Sequence, residues 1–397
     1  MVPNGWSKIK FGEITEIGNG QVDPKIEPYS SMMHIGPENV VSHTGRIINV
    51  KSCKEADLIS GKYEFDENAI IYSKIRPNLN KVCKPDFRGV CSADMYPIWV
   101  KKGLDKEYLF HYMLGPQFYK AAIAMSMRTG MPKINRSDLN TLSILLPLLP
   151  EQKKIAKILS TWDQAISITE KLLENSQQQK KALMQQLLTG KKRLLDEARS
   201  RFNIPWEKHR LGIFLKEEKQ RNKDNSISRV LSVTNHSGFV LAENQFSKRI
   251  ASDEVSNYKI VKKGQYGYNP SRINVGSFAR LDQFENGLLS PMYVVFSIKS
   301  ENLESDFFLY WMKSNEAKQR INNSTQGSVR DSVGFDAISS FVLKLPEIQE
   351  QRKIAKVFSF ADQEIETLQK KLDCLKQEKK ALMQQLLTGK KRVKVAA

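Results

Sequence analysis

The sequence predicts an α+β protein built as a tandem repeat. Two similar domains of mixed strand and helix are separated by two long helices, which pair antiparallel as a coiled coil about a pseudo-twofold. Three observations lead there. The segment KKALMQQLLTGKKR occurs at 180–193 and again, unchanged, at 379–392. A heptad pattern of apolar residues leads into each copy. Before that, each half carries short β-rich runs bounded by Gly, Pro and Asn.

The repeat extends well beyond the identical segment. Glu151-Gln152-Lys153-Lys154-Ile155-Ala156-Lys157 matches Glu350-Gln351-Arg352-Lys353-Ile354-Ala355-Lys356 at the same spacing of 199, and Leu146-Pro147 matches Leu345-Pro346. Fainter matches join Trp6 and Gly12 to Trp206 and Gly212, and Tyr72, Arg76 and Asn78 to Tyr268, Arg272 and Asn274. Met95-Tyr96 is aligned with Met292-Tyr293, and Gly130 with Gly327. The expected division is a first domain over 1–150, a helix over 151–190 and a linker over 191–204. A second domain follows over 205–346, then a helix with a basic tail over 347–392. Near-identity of the helices beside divergence of the domains suits one part doing the same job twice while the other recognises two different things. Exchange of the encoding DNA would also keep the helices alike.

In the first helix the apolar seam is Ile155, Leu159, Trp162, Ile166, Leu173, Leu183 and Leu187. In the second it is Ile354, Phe358, Ile365, Leu368, Leu372, Leu375, Leu382 and Leu386. Prolines precede both, and Gly190 or Gly389 with trailing lysines follows, as suits a helix C-terminus. Each helix should run roughly 37 residues, or about 55 Å. Thr169, Ser176 and Lys180 interrupt the first seam and Lys379 the second, and they either set register or lie where the seam drifts outward. One apolar stripe must be buried, and each helix is the other's best available partner.

Within the domains, strands are expected near 69–72, 96–100, 229–233 and 293–298, and helices over 108–125 and 307–322. Basic loops fall at matching places. Lys74, Arg76, Asn78 and Lys81 follow one strand, and Arg272 and Asn274 follow its counterpart. Near each domain's end, Arg128, Lys133 and Arg136 answer Arg330. Arg and Asn pair with base edges, whereas Lys mostly holds phosphate. Any one of these residues alone could be a solvated surface charge; their matched placement is what marks them as candidate DNA contacts.

Sixty-two Lys plus Arg against 43 Asp plus Glu give a net charge of +19. A surplus of this size, spread through the chain, favours nucleic acid as the partner. The cysteines Cys53, Cys83, Cys91 and Cys374 lack C-x-x-C spacing, and the five histidines lack metal-ligand spacing. Without a signal-peptide pattern or a bilayer-length apolar run, the expected compartment is the cytoplasm. Catalytic motifs are equally scarce. There is no phosphate-loop sequence, and Gly18-Asn19-Gly20 reads as a turn. Tyr268-Asn269-Pro270-Ser271 lacks the second proline and the aromatic of an amino-methyltransferase motif, and Pro85-Asp86 lacks the Glu/Asp-x-Lys partner of a metal nuclease.

Two divergent domains, each followed by a helix opening on Leu-Pro-x-x-x-Glu-Gln-x-Lys-Ile-Ala and closing on Leu-Leu-Thr-Gly-Lys, resemble the specificity subunit of Type I restriction–modification systems. Here the signatures are Leu146-Pro147, 151–156 and 187–191, repeated at Leu345-Pro346, 350–355 and 386–390. The resemblance implies two target recognition domains, each reading half of a bipartite target in double-stranded DNA. It implies that the helices set the gap and dock two methyltransferase subunits, and that a restriction/translocase subunit joins for cleavage. It also implies a non-catalytic chain that binds no cofactor, with S-adenosylmethionine, ATP and Mg used by the partners. Two domains on one strut could read DNA about a helical turn apart, roughly 34–36 Å. The competing readings are a structural coiled-coil adaptor with non-specific nucleic-acid binding, and a self-sufficient enzyme.

Overall fold

The computed structural model describes residues 2–126, 132–198, 200–245, 254–325 and 332–394. The chain divides into two compact units: Met1–Lys171 together with Gln369–Ala397, and Leu172–Leu368.

In the first unit a central antiparallel sheet has the order Thr15–Ile17, Met95–Val100, Ile70–Ser73, Val82–Cys83. Alternation of side chains along a strand sends successive residues to opposite faces. Ile70 and Tyr72 therefore join the core that carries the helices, while Ile71 joins a smaller core with Ile35, Phe65 and Cys91. A second sheet, ordered Lys51–Ser52, Met33–Ile35, Gly89–Ser92, Lys62–Phe65, covers that smaller core and contains one parallel pair. Ser7–Lys10 pairs with Ser143–Leu146 and ties the start of the domain to the strand that leads into the first long helix.

The second unit repeats the plan. Its central sheet runs Leu215–Glu217, Val294–Ile298, Tyr266–Tyr268, Phe278–Arg280. Tyr266 and Tyr268 face the helical core, and between them Gly267 faces the other way. A Cβ there would lie 2.7 Å from Phe239 and 2.9 Å from Leu289, so the side chain that Ile71 supplies in the first unit has no room here. The strand registers also correct one sequence match. Tyr72 stands opposite Tyr96, whereas Tyr268 stands opposite Val294. The counterpart of Tyr96 is thus Val294, one residue beyond the Tyr293 that letter matching selects.

The helices expected over 108–125 and 307–322 are each broken in two. The first consists of Lys106–Leu114 and Pro116–Ser126, the second of Ser305–Met312 and Asn315–Thr325. Gly115 is extended at the first break, and Pro116 can open a helix but not continue one.

The two long helices span Leu149–Leu187 and Ile348–Leu386, 39 residues each. In the first unit the beginning of one lies antiparallel to the end of the other, with Glu151 bonded to Arg392, Asp163 to Lys379 and Glu170 to Lys376. The second unit contains the complementary halves, with Glu350 bonded to Arg193 and Asp362 to Lys180. Each domain core is completed by both helices. Ile155, Ala156 and Leu159 enter the first core beside Met383, Leu386 and Leu387, and Ile354, Ala355 and Phe358 enter the second beside Leu187 and Leu188. Farther along, Leu173 and Leu372 are buried. Trp162, Ile166, Leu183, Ile365, Leu368, Leu375 and Leu382 are half-buried.

Candidate nucleic-acid interface

The residues repeated in both halves converge at the two helix junctions. Glu151 accepts from Nε and Nη2 of Arg392, each at 2.7 Å, and Trp6 donates its indole N–H to the same carboxylate at 3.2 Å. Glu350 is held alike by Arg193 at 2.6 and 2.6 Å and by Trp206 at 3.0 Å. The next residue is a buried glutamine with three bonds. Gln152 accepts from Asp105 N–H and donates to the carbonyls of Gly103 and Pro147, and Gln351 repeats this with Glu304, Asn302 and Pro346. These side chains fix where each helix leaves its domain, and hence where the domain's loops are carried. Gly389 follows at φ +69°, and a Cβ there would meet Pro3 at 2.4 Å.

The seam lysines have carboxylate partners. Lys379 bonds Asp163 and Lys180 bonds Asp362. Beside Asp362, Tyr310 donates its hydroxyl at 2.8 Å; the matching residue in the first unit is His111, whose Nδ1 lies 3.7 Å from Asp163. Burial, then Lys379 and Lys84, bring the His111 pKa down to about 3, so the ring is neutral and that approach is not an ion pair. Burial raises the Asp163 carboxyl, an effect that Lys379 opposes.

The candidate DNA loops lie at the ends of the central sheets. In the first unit the 74–81 loop makes a 3₁₀ turn, Pro77–Leu79, between two left-handed residues, Arg76 (φ 48°) and Asn80 (φ 39°). It is zipped to the segment before Arg136–Thr141: Arg76 N–H donates to Pro132 O and Ile134 N–H to Lys74 O, both at 2.9 Å. In the second unit Ile273–Val275 forms the matching 3₁₀ turn, left-handed after it at Gly276 (φ +100°) but not before it at Arg272 (φ −132°), and Val333 N–H donates to Pro270 O at 3.0 Å. Sequence reasoning missed Asn80. Its buried amide donates to Met113 O and Leu114 O, pinning the loop to the break between the two short helices.

The ten candidates do not share one environment. Arg76, Asn78 and Lys133 are exposed together on this zipped pair of segments, as are Arg272 and Asn274 in the second unit. Lys81 is spent on Pro37 O. Arg136 donates to Gly18 O and to Asn19 Oδ1, and its guanidinium and the Lys74 ammonium both lie 5.4 Å from the Tyr96 ring. These three hold the loops in place. Arg128 and Arg330 lie outside the described residues, as do Thr129, Gly130 and 326–328. Among the described residues no group of three His, Cys, Asp or Glu could hold a metal, and no helix is long and apolar enough to cross a membrane.

The sequence model of the Type I restriction modification DNA specificity domain matches residues 3–176 and 212–377, once in each repeat. The chain belongs to this family. It is 39% identical to the EcoDI specificity subunit of Escherichia coli over 156 residues, 39% of this chain and about a third (34%) of that one. It is 25% identical over 419 residues to the MjaVIII specificity subunit of Methanocaldococcus jannaschii, a match covering 99% of this chain and 94% of the other. In fold it is similar to the HsdS subunit from Thermoanaerobacter tengcongensis, with TM-score 0.51, 18% identity and 98% of both chains covered. It is also similar to the S subunit from M. genitalium, with TM-score 0.59, 16% identity and 96% of both chains covered. The α+β tandem repeat is therefore that of a Type I specificity subunit.

Proposed function

We propose that the chain directs a Type I restriction–modification complex to a bipartite target in double-stranded DNA. Each domain reads one half, the long helices set the gap between halves, and methyltransferase subunits dock on the chain. Methyl transfer and cutting, with their S-adenosylmethionine, ATP and Mg, belong to the partner subunits, so this chain is non-catalytic. One observation carries the reading. The same loop, zipped to the same following segment, recurs at the end of both central sheets, with exposed Arg and Asn on it and different side chains around it. A shared scaffold with unshared neighbours suits two half-sites of different sequence, because phosphate contacts position a protein while base contacts specify.

The test is selection of bound duplexes from a random library by the complex of this chain with the methyltransferase subunit of its system. Recovery of two fixed half-sites with a constant gap is expected. Exchange of residues 205–346 for another domain of the family should replace one half-site only; replacement of both, or enrichment of no sequence, would refute the reading.

A further inference from the structure

Two large apolar side chains stand in water at one end of the second unit's central sheet. Met292 is 63% exposed and Val275 61%, and Arg272 and Asn274 beside them are exposed too. Val275 closes the 3₁₀ turn Ile273–Val275, and Met292 sits on the turn from Ser290 to Tyr293 that leads into the strand Val294–Ile298. Asn269 ties the two turns together. Its Nδ2 donates to the Met292 sulfur at 3.9 Å, its Oδ1 accepts from Ser271 N–H at 3.0 Å, and its carbonyl accepts from Arg272 N–H at 3.0 Å. Single apolar side chains on a surface are ordinary. One that an amide holds in place on a candidate DNA loop asks for an apolar partner.

The first unit puts a different side chain at the same position. Tyr72 stands opposite Tyr96 and Tyr268 opposite Val294, so Asp94 and Met292, each two residues earlier, are equivalent. Asp94 is exposed, and its carbonyl accepts from Lys74 N–H at 2.9 Å. Its carboxylate has no hydrogen bond or ion pair among the described residues, although the adjoining segments carry Lys74, Arg76 and Lys133. Leu79, the counterpart of Val275, is half-buried. A carboxylate repels phosphate and a thioether cannot hold it, so neither Asp94 nor Met292 suits the backbone contacts that position a protein on DNA. Base edges suit both. In the major groove an apolar side chain matches the thymine methyl, and a carboxylate matches the cytosine amino group.

We infer that this one register position determines specificity in both domains: Met292 packs on the 5-methyl group of a thymine in one half-site, and Asp94 accepts from the 4-amino group of a cytosine in the other. The inference rests on the functional reading above and names two bases for it. Both loops then enter the major groove, because the thymine methyl is displayed only there. A position that differs, beside Arg76/Arg272 and Asn78/Asn274 that match, lets one scaffold read two sequences.

The experiment uses the full chain assembled with its system's methyltransferase subunit. Duplexes recovered by selection from a random library are rebuilt with deoxyuridine in place of each thymine in turn, which removes the methyl group alone. At one thymine the wild type should lose about fourfold in affinity, the worth of one methyl, and Met292→Ala should bind both forms equally. Met292→Asp should turn the preference at that base pair from thymine to cytosine. Asp94→Ala should lower the preference for one cytosine in the other half-site by about tenfold. Each half-site is the control for the variant in the other domain, and far-UV dichroism checks folding. If deoxyuridine is tolerated at every thymine and the variants keep wild-type preferences, the position is idle, and the inference fails while two recovered half-sites sustain the functional reading. A change in only one domain overturns the shared position. Met292→Ala that weakens all duplexes alike, or weakens methyltransferase binding, makes the side chain a wedge or a protein contact and also overturns it. If the wild-type complex enriches no sequence, the functional reading falls first and this one with it.

Discussion

Arg392 closes a two-pronged clasp on Glu151 across 241 residues of sequence, and Arg193 closes the same clasp on Glu350. The glutamate that opens each long helix is held by the arginine that ends the other. Glu350 is fully buried and Arg193 about one-fifth exposed, so removing the arginine strands a carboxylate in the interior. Arg193→Ala should cost about 3 kcal/mol in chemical denaturation followed in the second unit. Replacing Lys192, exposed and without a side-chain bond in the described structure, should cost under about 0.5 kcal/mol.

The loop residues should separate in a salt titration of DNA binding. Arg76→Ala and Arg272→Ala remove exposed cations, so each should weaken binding and, if it meets a phosphate, lower the salt slope by about one. Arg136→Ala should weaken binding without that loss of slope, because its guanidinium is already engaged with Gly18 and Asn19. Wild-type affinity and slope in both Arg76→Ala and Arg272→Ala would remove these loops from the interface.

Asn80 should act through the loop's shape. Asn80→Ala loses two amide bonds and places alanine in a left-handed backbone, at a cost of about 2 kcal/mol. Asn80→Gly, the residue the second unit carries at the matching Gly276, keeps the backbone permitted and should recover roughly half of that loss. Thermal unfolding of the two variants checks the order.

Acid should loosen the first unit. The folded-state pKa of His111 is about 3 and that of His34 about 4, both pressed below 6.5 by burial and neighbouring lysines. Between those values and 6.5 the unfolded chain binds protons that the folded chain refuses. Stability from these groups is complete above pH 6.5 and declines as pH falls, by about 1.4 kcal/mol per pH unit for each histidine. His111→Tyr supplies the residue found at position 310 and should flatten the decline between pH 6.5 and 5. An unchanged slope would show that His111 does not titrate on unfolding.

Much of this was legible in the residues because two periodicities and one duplication overlap. The 3.5-residue seam runs along both long helices, Leu149–Leu187 and Ile348–Leu386. The repeat located the loops. Long-range pairing was not legible: nothing local marks Arg392, and not Arg193, as the partner of Glu151. Nor does composition separate the exposed Arg76 from Arg136, which is turned inward on Tyr96. The break at Gly115-Pro116 was visible as a proline, yet the apolar pattern on either side ran through it. The one-residue offset between Tyr96 and Tyr293 arose because matching letters ignore strand register.

The central claim, that this chain alone chooses a two-part DNA target for its complex, is tested most directly by mapping N6-methyladenine genome-wide in cells with and without the gene, the methyltransferase gene remaining intact and expressed. Loss of methylation at one motif made of two half-sites with a fixed gap is the expected result. An unchanged methylation pattern, with the methyltransferase shown to be active at a two-part motif, would contradict the claim.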